Sequence, residues 1–227
     1  VQLSDPQRSL VVRIVNVFET GRPEGDYGAV SIYDDGPGRV PQVTYGRSQT
    51  TEYGQLRELL ETYVASGGRL SAEMRPYLDR LGTGVLHKNR RFKELLAEAG
   101  TDPVMVRTQD SFFDEKYFRP AWAFAAENGF ALPLSFLVIY DSCIHSGRVP
   151  SFLRARFPEV PPARGGAETA WTRAYVDARE AWLAGHANPI LQRTVYRTAC
   201  FTAQMDAGNW DLSQVPVAAN GVPVYPA

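Results

Sequence analysis

Cysteine is nearly absent from this chain of 227 residues. Its two representatives, Cys143 and Cys200, sit in apolar, helical-looking stretches and in no metal-type spacing with histidine. That excludes a disulfide-stapled small scaffold and a cysteine zinc site, and leaves either two buried thiols or one optional disulfide. Histidine is as scarce: His87, His145 and His186 are scattered, none with a second histidine at helical spacing, so no metal site and no metal cofactor are expected. No stretch reaches the roughly 18 apolar residues that a membrane-spanning helix needs. Nor is there a surplus of charge, since 24 Lys and Arg against 25 Asp and Glu leave a formal net charge of −1. No global field is available to hold a nucleic-acid backbone, and attraction for a charged substrate has to be local. The start, Val1-Gln2-Leu3-Ser4, has neither the basic head nor the apolar core of a signal peptide, as expected of a mature or trimmed chain.

What is present is helical periodicity in an ordinary globular composition, with 44% apolar residues. Leu10, Ile14, Val17 and Phe18 fall on one stripe, with Asp5 as the expected N-cap and Pro6 in the first turn, and the helix should end near Glu19-Thr20-Gly21. Between Tyr27 and Gly46 two short extended runs flank a Gly/Pro-rich turn, predicting a small β-hairpin or a three-stranded sheet. Leu56, Leu59, Leu60 and Tyr63 form the next helical stripe, closed at Gly67-Gly68. Further helices are predicted near 71–81 and 89–99, as one long stretch over 102–128, over 132–145 as a central buried helix, and over 166–185 and 187–207, before a Pro-rich, non-regular tail. The inventory is an α+β fold, mainly α-helical, with a small N-terminal β-sheet. It is expected to form a single catalytic domain of two lobes with a cleft: a small β-containing lobe around 21–100 and a larger helical lobe around 1–20 and 101–227.

Glu19 falls at the end of the first apolar helix, where its carboxyl group would leave a hydrophobic wall and face the hairpin. Apolar surroundings disfavour a charged carboxylate, so such a group can hold a proton for a leaving group. Asp35 lies on the glycine-bounded turn of Tyr33-Asp34-Asp35-Gly36, polar and solvated, where a carboxylate stays ionised. Thr44 on the returning strand offers a hydroxyl that could hold a water. Acid, base and water-holder are the parts of an inverting glycosidase, whose carboxyls stand roughly 6.5–9.5 Å apart. Tyr27, Tyr33, Tyr45 and Tyr53 cluster around these positions and could offer flat faces on which sugars stack. Arg22, Arg39 and Arg47 near the hairpin read as solvated surface.

Helix end and Glu19, then a hairpin carrying Ile32-Tyr33-Asp34-Asp35 and Val43-Thr44-Tyr45-Gly46, resembles the active-site layout of the lysozyme-like superfamily, in particular family 46 chitosanases. That family places a Tyr and then, after seven residues, the catalytic Asp; Tyr27 and Asp35 keep this spacing behind Glu19. Residues 126–130 and 137–147 resemble its buried central helix, with Asp141 at the acidic position. Tyr175-Val176-Asp177-Ala178-Arg179 and Arg193 resemble the segments supplying its arginine pair. An ionised carboxylate in an apolar helix is costly unless paired, and the resemblance offers Arg179 and Arg193 as partners that orient the site. The loop after Asp35 is longer than the family's, which moves the threonine to Thr44. The family's amino-sugar-binding acid falls nearest to Glu52.

The resemblance implies a secreted, cofactor-free, monomeric glycoside hydrolase. Its catalytic residues would be Glu19, Asp35 and Thr44, and Tyr27, Tyr33, Tyr45 and Glu52 would meet the sugar. The expected partner is a chitosan-like polysaccharide, with no nucleic acid and no membrane. Two alternatives stay open at this point, a peptidoglycan-cleaving muramidase and a carbohydrate-binding relative that has lost the reaction.

Overall fold

A computed structural model describes residues 1–47 and 49–227, and they divide into two compact units: Val1–Pro23 with Glu115–Ala227, and Glu24–Asp114. The fold is mainly helical α+β. No helix among the described residues is long and apolar enough to cross a membrane.

The first unit opens with helix α1 (Asp5–Thr20). Its cap is Ser4 rather than the expected Asp5. The Ser4 hydroxyl accepts from the Gln7 backbone N–H while the Gln7 side chain accepts from the Ser4 N–H at 2.9 Å. This reciprocal box outranks a lone acid one residue on, and Pro6 costs nothing in a first turn. At the other end Gly21 takes φ 74° and its N–H returns to the Val17 carbonyl, a left-handed cap that a residue with a Cβ tolerates poorly. Leu10, Val11, Ile14, Val15 and Phe18 of α1 are buried.

They join the core built around α7 (Pro133–Ser146), whose residues from Pro133 to Cys143 are all buried. Helix α9 (Glu168–Ala184) packs on α7 through a ladder of polar contacts set in apolar surroundings. Thr172 donates to Ser135 at 2.9 Å, the Tyr175 and Ser142 hydroxyls share a hydrogen bond, and Arg179 pairs with Asp141. Trp171, Tyr175 and Arg179 follow one another at four-residue spacing, so a single stripe of α9 supplies a stacked aromatic pair and the cation. Helix α11 (Tyr196–Asp206) completes the core with Cys200, Phe201 and Met205. Both cysteines are buried free thiols.

One expectation fails in this unit. The Pro-rich tail is not irregular: strands β4 (Val217–Ala219) and β5 (Val222–Val224) form a hairpin whose two-residue turn is Asn220-Gly221, both at positive φ. Asn-Gly is the strongest short hairpin signal in a sequence. The long helical stretch expected over 102–128 is present, as α5 (Pro103–Phe113) and α6 (Arg119–Glu127) joined without a break through a π-helical turn over Asp114–Phe118. Pro120 lacks the N–H needed to continue an unbroken α-ladder there.

The second unit holds the antiparallel sheet β1 (Val30–Tyr33), β2 (Gln42–Tyr45) and β3 (Thr50–Thr51), in that spatial order. The register pairs Ser31 with Thr44 and Tyr33 with Gln42. Because side chains alternate along a strand, Gln42 and Thr44 share one face of β2 and Val43 and Tyr45 the other. Helices α2 (Leu56–Ala65), α3 (Ser71–Leu78), α4 (Arg90–Ala99) and α5 bury Leu59, Leu60, Met74, Phe92, Leu96 and Phe113.

The N-terminal cap gives a direct check on this account. Ser4→Ala should lower the unfolding free energy by about 1 kcal/mol in chemical denaturation, and Asp5→Ala by clearly less; the reverse order would restore Asp5 as the cap.

Candidate active site

The last turn of α1 leaves backbone carbonyls without helical partners, as every helix end does. In this unit they are claimed from outside the helix: the Tyr196 hydroxyl donates to the Phe18 carbonyl at 2.8 Å, and an Arg197 N–H reaches the same oxygen at 3.4 Å. Asn16 ties the following turn by donating to the Pro23 carbonyl at 2.9 Å. Glu19, one residue beyond Phe18, is thereby held at the start of α11. Its carboxylate accepts a charge-assisted hydrogen bond from Arg197 at 2.6 Å, with only 10% of the Glu19 side chain exposed.

Arg197 is shared. Its other terminal nitrogen donates to Asp141 at 2.6 Å, and the second Asp141 oxygen pairs with Arg179 at 2.7 Å. Burial works against ionisation of Asp141, but the Arg179 and Arg197 guanidiniums beside it hold its carboxyl below the usual carboxylate range. Arg179 also reaches Nδ1 of His145 at 3.1 Å. Burial, reinforced by Arg197 and Arg179, pushes His145 down to about 3, so its ring is uncharged. The neighbouring thiols Cys143 and Cys200 are each pushed up to about 12, first by burial and then by Asp141, which makes them inert packing groups.

The expected partnership of Asp141 with Arg179 is therefore present, whereas that with Arg193 is not. Arg193 is exposed, in a 3-10 turn (Arg193–Val195) before α11 begins, and Arg197 takes its place on the buried stripe with Cys200 and Phe201. Sequence reasoning missed Arg197, although the stripe formed by Phe201 and Met205 points back to it at four-residue spacing.

In the second unit Asp35 is exposed at the mouth of the β1–β2 turn and accepts from the Gln42 side chain at 2.8 Å. The Gln42 amide is itself fixed by accepting from the Tyr53 N–H at 3.2 Å. Gly36 next to Asp35 has to be glycine, because a Cβ there would lie 2.5 Å from the Val40 carbonyl oxygen. Thr44 lies on the same strand face as Gln42 but is buried, and its hydroxyl donates across the ladder to the Ser31 carbonyl at 3.0 Å. The proton of that hydroxyl is committed, so Thr44 can meet a water only as an acceptor.

The four expected sugar contacts separate. Tyr33 is exposed on the Gln42 face. Tyr27 is half-buried and donates to Asp110 at 2.8 Å, its hydroxyl pushed up to about 12, chiefly by burial. Tyr45 faces the opposite way, wholly buried among the core residues, and offers no ring face to a ligand. Glu52 is also buried, its carboxylate accepting from the Val43 and Gly82 N–H groups, each at 3.2 Å. It ties the sheet to the 82 turn rather than presenting a free charge to an amino sugar. Arg47, expected on the surface, is buried with its guanidinium over the Tyr27 and Phe113 rings, and its Nε lies 3.4 Å from Asp110. Among the described residues no three His, Cys, Asp or Glu side chains converge as metal ligands would.

Residues 13–217 match the profile of glycosyl hydrolase family 46. The chain is 27% identical to a chitosanase of Bacillus subtilis over 191 residues, covering 78% of this chain and 67% of that protein. It is 26% identical to a chitosanase of Streptomyces sp. over 229 residues, covering 93% and 78%. Among solved structures it is similar to the Gynuella sunshinyii family 46 chitosanase in complex with chitotetraose, with TM-score 0.84, 26% identity and coverage of 99% and 98%.

Two measurements probe the buried charges. Arg197→Met leaves Asp141 short of a partner and should cost about 3–5 kcal/mol of stability, whereas Arg193→Met should stay within about 0.5 kcal/mol; comparable losses would refute the assignment. For pH, the unfolded chain protonates His145 below about pH 6.5, but the folded chain does so only at about 3. The unfolded state thus binds more protons in that window, and stability falls as pH is lowered through it. Denaturation series should show a shallower slope in His145→Gln, and an unchanged slope would contradict this.

Proposed function

The chain belongs to glycosyl hydrolase family 46, and on that premise we propose that it cleaves β-1,4 linkages of chitosan by inversion, with Glu19 as general acid and Asp35 as general base. The observation that carries the reading is the placement of Glu19: a nearly buried carboxyl group paired with Arg197, which is itself anchored to Asp141. A proton donor has to be held still, and it acquires negative charge as the glycosidic bond breaks. That charge forms against a guanidinium already fixed in place, so stabilisation grows as the transition state is approached.

In the proposed step Glu19 gives its proton to the glycosidic oxygen as the bond to the anomeric carbon breaks. A water attacks that carbon from the opposite face and yields its proton to Asp35, and the configuration inverts. Gln42 orients Asp35 by donating to one oxygen, leaving the carboxylate otherwise open to solvent. Thr44 accepts from the water. Tyr33 contributes the exposed ring against which a sugar stacks, while Tyr45 and Glu52 are withdrawn from that role and support the sheet. Asp141, Arg179 and Arg197 act as positioning residues. The reading extends to a secreted, monomeric enzyme with one two-lobed catalytic domain, acting at internal linkages, so viscosity should drop early relative to the release of reducing ends.

Glu19→Gln keeps the shape and cannot deliver a proton. Its turnover on chitosan should fall by about a hundred- to ten-thousand-fold, and a loss of only a few-fold rejects Glu19 as the acid. Asp35→Asn should be more damaging than Asp34→Asn; the opposite order shifts the base to Asp34. Reducing-end release measured in parallel on chitosans of graded acetylation and on purified peptidoglycan should occur with chitosan, and cutting of peptidoglycan alone would overturn the substrate assignment.

A further inference from the structure

The larger unit contains a pocket that the chemistry above does not use. It has a volume of about 510 Å3 and is lined by His145, Ser146, Arg148, Phe152, Trp182 and Leu191 among others, a size within the roughly 300–1,000 Å3 of small-molecule sites. Its walls are aromatic. Phe152 is 48% exposed and meets Trp182 edge to face, with centroids 5.4 Å apart. His186 packs perpendicular to Trp182 at 5.2 Å. The indole is thus held by rings on two sides, giving a stiff apolar wall of the kind on which pyranose rings stack.

The charge on its lining has one sign. The two segments that line the pocket, residues 145–152 and 182–191, contain no Asp or Glu, while Arg148 is among the lining residues. Glu180 precedes Trp182 by two residues on α9, a spacing that puts it on a different face of that helix. Asp141 is occupied by two arginines. His145 at the pocket wall is uncharged. A glucosamine unit, cationic at its 2-ammonium group, would enter a basic pocket with no counter-charge.

An acetylated unit has no such conflict. Its amide is neutral, its methyl group suits the Phe152 and Leu191 side chains, and its carbonyl oxygen can accept from the Arg148 guanidinium or the Ser146 hydroxyl. We infer that this pocket is a subsite for an N-acetylated hexosamine ring, stacked against Phe152 and Trp182, and that it directs the enzyme toward partly acetylated chains. The inference rests on the polysaccharide-hydrolase reading for its biological setting, but the binding event does not require hydrolysis.

The test uses the full chain carrying Glu19→Gln, titrated separately with the trisaccharides of N-acetylglucosamine and of glucosamine while backbone amide resonances are followed. The acetylated trisaccharide should shift resonances of residues 146–152 and 182–191, and bind there about tenfold more tightly than the glucosamine trisaccharide. Phe152→Ala should weaken this binding, and so should Arg148→Ala, which removes only an exposed side chain and leaves packing intact. Equal or tighter binding of the glucosamine trisaccharide at these residues overturns the inference, as does the absence of shifts there with either sugar. Failure of the hydrolase reading would appear separately, as natural chain that leaves chitosan uncut.

Discussion

Burying a carboxylate in the middle of an apolar helix obliges the surrounding structure to neutralise it, and much of the larger unit follows from how Asp141 is neutralised. One arginine would suffice for charge. Two are present, Arg179 and Arg197, so the buried group would carry a net positive charge if it stopped there. Glu19, held against Arg197, supplies the missing negative charge once it has given up its proton. The four side chains then balance only as a set, two cations against two carboxylates, and the group that closes the balance at the edge of the core, by giving up its proton, is the proposed acid. An ion pair of this kind is poor value as stabilisation compared with apolar packing; what it secures is position.

Each of the four groups comes from a different helix. α1 brings Glu19, α7 Asp141, α9 Arg179 and α11 Arg197, each at the end of, or within, a stripe that otherwise packs the core. The charges can pair at 2.6–2.7 Å only when the four helices have reached their final packing. The end of α1 is bound again by Tyr196 and Arg197 at the Phe18 carbonyl. A shift of α11 would therefore disturb the orphan carbonyl of α1 and the Glu19 carboxylate together, which couples the packing of this unit to the placement of its acid.

Features set by local periodicity were legible in the sequence. The end of α1 at Gly21, the hairpin around Gly36 and the buried run of α7 follow from stripes, glycines and continuous apolarity, and Asp141 stood out because a lone acid in such a helix needs a partner. Features set by register or by tertiary choice were less legible. Arg193 and Arg197 differ by one helical turn, and only the point where α11 starts decides which one enters the core. Thr44, Tyr45 and Glu52 sit within nine positions of one another, yet strand alternation sends Tyr45 into the core and a backbone bracket captures Glu52. The hairpin at Asn220-Gly221 carried its signal openly, but proline content in the tail outweighed it.

The central claim is that Glu19 and Arg197 act as one unit in turnover. A double-mutant cycle on chitosan hydrolysis, with Glu19→Gln and Arg197→Lys made singly and together and assayed where all four proteins are folded, tests this most directly. Residues that work as a unit are strongly non-additive, so the double variant should be scarcely slower than Glu19→Gln alone. If the two losses instead multiply, Arg197 acts on the structure independently of the acid, and the account fails.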